Sequence, residues 1–258
     1  GRQPRREGRR PMLPQHARMC GPLEAANGLG FLLYPAMADH ESLQVRRSGP
    51  GAVELSFFGG DPQGPSHLFT LRLTLPAHGT GVYTEELVHL AGDCPFAEDE
   101  IPALREALVR SGSTWVPPGA MALRANVDVR TPPGWDSVFT GVLNLPQAPP
   151  LCTLSARVET DWYAFDTEFR SVLEVGDVLS ATGRTPVGQV FVVPRTPVAA
   201  RQATAEEAAA FRAEQGAFAA HKRTVRASTA LGLEYDTAYR EAARARAGAP
   251  GTGPLHPC

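Results

Sequence analysis

Nine residues from His67 to Leu75, HLFTLRLTL, alternate apolar and polar side chains. A period of two is the signature of a strand with one buried face, so Phe69, Leu71, Leu73 and Leu75 are expected to face a core and Leu68, Thr70, Arg72 and Thr74 to face away from it. SLQVRR and AVELSFF, upstream of it, show the same alternation, and the second ends at Gly59-Gly60. The chain carries 24 Pro and 25 Gly among 258 residues, a frequency of turn formers that favours many short strands over long helices. Strand patterns return from Met121 to Pro194 in ALRANVDV, DSVFTGVLNL, TLSARVET, YAFDTEFRSVL and QVFVVP. The expected fold is therefore mainly β: a jelly-roll or β-clip-like barrel, with a cupin as the alternative.

Two segments break the strand pattern. In EDEIPALREALVRSG, Ile101, Leu104 and Leu108 recur at helical spacing, acids occupy the first turn and Gly112 follows the last, so residues 85–119 are read as a helical insertion. Thr204 and Glu207 form a capping box before AEEAAAFRAEQGAFAAHKR, in which Phe211 and Phe218 stand one heptad apart. With a second helical stretch from Asp236 to Ala247, residues 199–247 are expected to form a helical strap, lying on the barrel or on a neighbouring subunit. The strap and the barrel domain over 19–198 lie between a basic, arginine-rich tail at 1–18 and a second tail at 248–258, both expected to be disordered.

Composition narrows the partners. There are 25 Lys and Arg against 27 Asp and Glu, a net charge of -2, which gives no electrostatic reason to expect nucleic acid or a membrane surface. No apolar run approaches the roughly 20 residues needed to cross a bilayer. The N-terminal segment is charged but lacks an apolar h-region, so no secretory leader is expected and the cytoplasm is the expected compartment. Cys20, Cys94, Cys152 and Cys258 fall in no C-x-x-C spacing and are read as free thiols. Phosphate-loop, dinucleotide, nucleophile-elbow and H-E-x-x-H patterns do not occur.

Three segments are the candidates for chemistry. RTPPGW, Arg130 to Trp135, combines two φ-fixing prolines with a permissive glycine, a stiff corner that would present Arg130 to an anion and Trp135 for stacking, or else bury Trp135 in the core. VETDW, Val158 to Trp162, read as a strand, places Glu159 and Asp161 on one face and Trp162 on the other, an acid pair or a plain solvated face. HGTG, His78 to Gly81, offers His78 as a base or ligand. A non-haem Fe(II) site from His40, His78 and Asp161 is an alternative that the spacing does not demand.

Taken together, AANGLGFLLYP (Ala25 to Pro35), HGTGVYT, RTPPGW, LNLP (Leu143 to Pro146) and ARVETDW resemble the bacterial domain-of-unknown-function group 6065 over most of residues 20–195. The long segment between HGTG and RTPPGW, with its helix near Leu104, and Val129 in place of an aromatic depart from that group's pattern. The order of PPGW, ETDW, VGD and QVFVVP is also similar to trimeric dUTPase-like proteins, without their phosphate-binding segment; that similarity implies a β-clip fold and sets Asp161 near a base- and sugar-recognising position. The resulting expectation is a small-molecule enzyme of bacterial specialised metabolism, of unknown reaction and cofactor. His78, Asp161 and Glu159 would be catalytic; Arg130, Trp135, Trp162 and Asn27 would bind the substrate. The alternatives are a non-catalytic binding or assembly module, expected to be a homo-oligomer, and an iron-dependent oxygenase.

Overall fold

A computed structural model describes residues 21–74, 83–111, 119–145, 153–164, 166–196, 199–228, 232 and 234–247. The described chain divides into two compact units, one of residues 27–196 and one that joins 21–26 to 199–247. The fold is mainly β, built of antiparallel sheets. Among the described residues no helix is long and apolar enough to cross a membrane.

The first unit contains three sheets. Strands β2 (Ser42–Gly49), β3 (Ala52–Gly59), β4 (Ser66–Thr74) and β5 (Thr84–Leu90) form a meander, and β11 (Val178–Thr182) pairs with β2 to complete a five-stranded sheet ordered β11-β2-β3-β4-β5. A second sheet is ordered β1-β12-β8-β9, from β1 (Phe31–Leu33), β12 (Gly188–Pro194), β8 (Trp135–Thr140) and β9 (Ala156–Val158). A third, β10-β7-β6, joins β10 (Glu168–Val172), β7 (Ala120–Arg124) and β6 (Val109–Ser111). The sheet orders are open, and no closed barrel forms among the described residues.

One core serves all three sheets. Leu43 and Val45 of β2, Val53, Leu55 and Phe57 of β3, Met121 of β7, Phe139 of β8, Phe169 of β10 and Val190 of β12 are buried in a single cluster. Phe57 and Phe69 are cross-strand partners whose rings stack with centroids 5.4 Å apart. On the opposite face of β3 and β4, Ser56 and Thr70 share a hydrogen bond of 2.8 Å and Arg72 pairs with Glu54 at 3.4 Å, as period-two alternation requires.

Leu68 departs from that alternation. The pairing of β3 with β4 shifts between Phe57 and Phe58, so Leu68 is the extra residue of a bulge and is buried (1% exposed) next to Phe69 (0%). The bulge turns inward a side chain that strict alternation assigns to the outer face. Leu75 lies outside the described residues.

The segment read as a helical insertion is more composite. Residues 84–90 form β5, which pairs with β4; helix α2 spans only Ile101–Leu108, and β6 follows it directly. Nearly all of β5 is exposed, so its sequence, TEELVHL, shows no alternation and only backbone pairing reveals it as a strand.

Gln189 of β12 is fully buried. Its amide nitrogen donates to the Leu29 carbonyl, and its oxygen accepts from the Leu143 N–H at 3.0 Å. These bonds tie the segment before β1 and the loop after β8 to β12.

The second unit contains α1 up to residue 26 (α1 spans Gly21–Asn27), α3 (Ala205–Thr224), a hairpin of β13 (Arg226–Ser228) with β14 (Glu234–Asp236), and α4 (Ala238–Ala247). Thr204 and Glu207 form the capping box at the start of α3: the Glu207 N–H donates to Thr204 Oγ1 at 3.2 Å and the Thr204 N–H to Glu207 Oε2 at 2.8 Å. The hairpin between the two helices was not expected from sequence.

Candidate functional site

RTPPGW forms a corner at the entry to β8. The Trp135 N–H bonds back to the Pro132 carbonyl at 3.2 Å, and Gly134 has φ of 82°, which a side-chain-bearing residue adopts only under strain. The ETDW segment is not a strand. β9 ends at Val158, and the N–H groups of Trp162 and Tyr163 both turn back to the Glu159 carbonyl, at 3.3 and 2.9 Å. Glu159 and Asp161 therefore do not share a strand face. Glu159 is half-exposed, whereas the Asp161 side chain is only 9% exposed.

Two sets of bonds join corner to turn. The first is uncharged: Thr160 Oγ1 lies 2.9 Å from Thr131 Oγ1 and 2.7 Å from Ser137 Oγ, and Thr131 Oγ1 donates to the Trp135 carbonyl at 2.7 Å, all three hydroxyl side chains being buried. The second is ionic and centres on Arg195, the residue after β12. Its guanidinium donates to Asp161 at 2.5 Å and to Asp136 at 2.7 Å, and lies 3.7 Å from Glu159. Arg157 Nε donates to the other Asp136 oxygen at 2.6 Å, and the Gly134 N–H to the other Asp161 oxygen at 2.9 Å.

These contacts fix the protonation states. The Arg195 hydrogen bond, reinforced by the Gly134 N–H, holds the Asp161 carboxyl below its ordinary range. Burial pushes the Asp136 carboxyl up, but the hydrogen bonds from Arg195 and Arg157 outweigh it and leave the group below its ordinary value. Arg195 is raised in turn by Asp161 and Asp136. Both aspartates are ionised at neutral pH, and each has a donor on both oxygens.

On this base stand Trp162 and Tyr163, 65% and 49% exposed, with their rings edge to face at 5.7 Å. They line two hollows. One, of about 460 Å³, is completed by Asp136, Arg157, Val158, Glu159 and Arg195. The other, of about 290 Å³, is completed by Asp128, Val129, Arg130, Thr160, Ala164 and Asp166. Arg130 is exposed, and its guanidinium has no hydrogen-bond or ion-pair partner among the described residues. Its acidic neighbours are already engaged, Asp128 with the Thr167 N–H at 2.9 Å and Asp166 with Arg110 at 2.5 Å.

Of the residues expected from sequence, Glu159, Arg130 and Trp162 line these hollows, and Asp161 anchors the turn beneath them. Trp135 lines neither and contributes its backbone carbonyl to Thr131. Asn27 also lines neither; it is buried, and its Oδ1 accepts from Asn144 Nδ2 at 2.9 Å. His78 lies outside the described residues. His40 belongs to the 38–41 turn, closed by the Glu41 N–H on the Ala38 carbonyl, and no cluster of three His, Cys, Asp or Glu side chains fit for a metal occurs among the described residues.

Sequence reasoning missed Asp136, Arg157, Tyr163 and Arg195. The available signal was a charge at each end of apolar strands, Asp136 opening DSVFTG and Arg195 closing QVFVVP. Their meeting depends on the register of β12 against β8, in which Val193 opposes Asp136. No protein-family model matches the chain, and no curated protein and no solved structure matches it either.

Proposed function

We propose that this chain binds a small planar acid, an aryl or heteroaryl carboxylate, stacked on Trp162 or Tyr163 with its anionic group on Arg130. The observation that carries this reading is the pairing of an exposed aromatic couple with a guanidinium that has no ion-pair partner among the described residues, at the rim of one hollow. An exposed tryptophan on a turn braced from below by ion pairs and buried hydroxyls is a preorganised stacking surface. An exposed arginine offers the two-pronged donor geometry that a carboxylate matches.

A catalytic version of the reading falls on Glu159, which is half-exposed on the larger hollow and only 3.7 Å from Arg195. Asp161 and Asp136 would have to release arginines before taking a proton, so they serve as supports. The antiparallel sheets and shared core support a jelly-roll or β-clip assignment for the first unit, and kinship with the domain-of-unknown-function group 6065 is proposed with it on the RTPPGW and ETDW segments.

Ligand-detected NMR with matched probes tests the reading: benzoate and indole-3-carboxylate against benzylamine and tryptamine. The acids are expected to bind and the amines not to, with binding lost in Trp162→Ala/Tyr163→Ala and weakened in Arg130→Met. Equal binding of acids and amines, or acid binding unchanged in both variants, overturns it.

A further inference from the structure

The helix α3 runs for 20 residues and buries none of them. Phe211 and Phe218 are 60% and 39% exposed, and lie one heptad apart on the same side of the helix. Most helical stability in proteins comes from packing an apolar face, which α3 lacks in burying no side chain, and Gly216 within it lowers its propensity. Its capping box terminates it well but supplies no packing.

The distribution of charge says what covers it. Glu206 and Glu207 occupy the first turn, and His221, Lys222 and Arg223 the last. The helix therefore has an acidic end and a basic end, complementary to itself in antiparallel and repulsive to itself in parallel. Setting Phe211 against Phe218 of a second copy places the two-fold axis between Glu214 and Gln215. The same register brings Glu207 opposite Lys222, on the face of the helix that carries the phenylalanines. Within the chain Lys222 lies 3.8 Å from Asp236 and 6.0 Å from the Phe218 ring centroid, and Glu207 pairs with Arg201, so both side chains are held beside the phenylalanines and each would exchange a partner in its own chain for one across the pair.

We infer that α3 is a self-association surface, covered by α3 of a second copy of this chain in an antiparallel pair whose core is Phe211 against Phe218. The pairing is independent of the ligand site proposed above.

Sedimentation velocity of the full chain over a concentration series tests it, read together with hydrogen exchange of the α3 amides. The expected result is a concentration-dependent monomer–dimer equilibrium with α3 amides protected in the dimer. Phe211→Glu and Phe218→Glu are each expected to give a monomer at every concentration. Because both side chains are exposed, β-sheet circular dichroism and the melting of the first unit stay unchanged. Lys222→Glu/Arg223→Glu, which makes both ends acidic, weakens the dimer most at low salt. A chain that stays monomeric with α3 protected has the helix folded onto its own molecule, and one that stays monomeric with α3 unprotected has another partner; either overturns the inference. A dimer that survives both phenylalanine substitutions uses another surface and overturns it as well.

Discussion

Replacing Thr160 by valine removes one hydroxyl and keeps the shape of the side chain. Thr160 is 3% exposed and is the partner of two other buried hydroxyls, Thr131 and Ser137. After the change, Thr131 still donates to the Trp135 carbonyl at 2.7 Å, whereas Ser137, 0% exposed, has no partner left among the described residues. An orphaned buried polar group costs about 1–3 kcal/mol, and the lost Thr131 bond adds to it, so a loss of about 2 kcal/mol is expected. For a unit of residues 27–196, each kcal/mol moves Tm by about 2–4 °C. Thr160→Val should therefore melt roughly 4–8 °C lower by circular dichroism. Adding Ser137→Ala removes the orphan and should recover part of the loss, a non-additivity that a double-mutant cycle reads directly. Thr160→Ser, which keeps the hydroxyl, should fall less than Thr160→Val. If Thr160→Val melts within about 1 °C of the parent, or Thr160→Ser melts lower than it, the hydroxyl set does not hold the corner to the turn as argued.

Three other outcomes follow from the same geometry. A Cβ at Gly188 would lie 2.0 Å from the Phe169 ring, so Gly188→Ala should lower the denaturant midpoint by overpacking, at about 1–3 kcal/mol, and Phe169→Leu should relieve part of it. The Glu207 carboxyl at the start of α3 is lowered to about 2 from 4.5, first by Arg201 and then by the Thr204 N–H. Because its folded value is depressed, its contribution is present above the unfolded value and fades as pH falls through that interval; helical circular dichroism should drop there, and less so in Arg201→Met. Asp161 is depressed in the same direction by Arg195 and Gly134, so tryptophan emission should hold on acidification below the ordinary carboxylate range and should change at higher pH in Arg195→Met, a shift absent if the pair is not formed.

What could be read from the sequence were the local constraints. The alternation of β2 to β4 is a property of neighbouring residues, and so are the Pro-Pro-Gly corner and the Thr204–Glu207 cap. Where sequence reasoning failed, the deciding interaction was distant or left no pattern. The inward turn of Leu68 depends on a bulge against β3, and β5 was hidden because a strand exposed on both faces shows no period. Reading ETDW as a strand set Glu159 and Asp161 on one face, whereas the carbonyl of Glu159 is claimed by two N–H groups of its own turn, Asp161 turns in to Arg195 and Trp162 swings outward. Arg195 drew no attention because nothing adjacent to it explains it; its partners, Asp136 and Asp161, are far off in sequence.

The buried Gln189 has a consequence for assembly. A strand displaced by one residue presents its opposite set of side chains to each face, so a slip of β12 along β8 would carry Arg195 away from Asp136 and strand the amide of Gln189 among apolar neighbours. The Leu29 carbonyl and Leu143 N–H accept only one alignment of that amide, which makes Gln189 a latch selecting the frame in which the braced aromatic turn comes into being. A misaligned folding intermediate would possess sheets and a core yet leave Trp162 and Tyr163 on an unbraced turn.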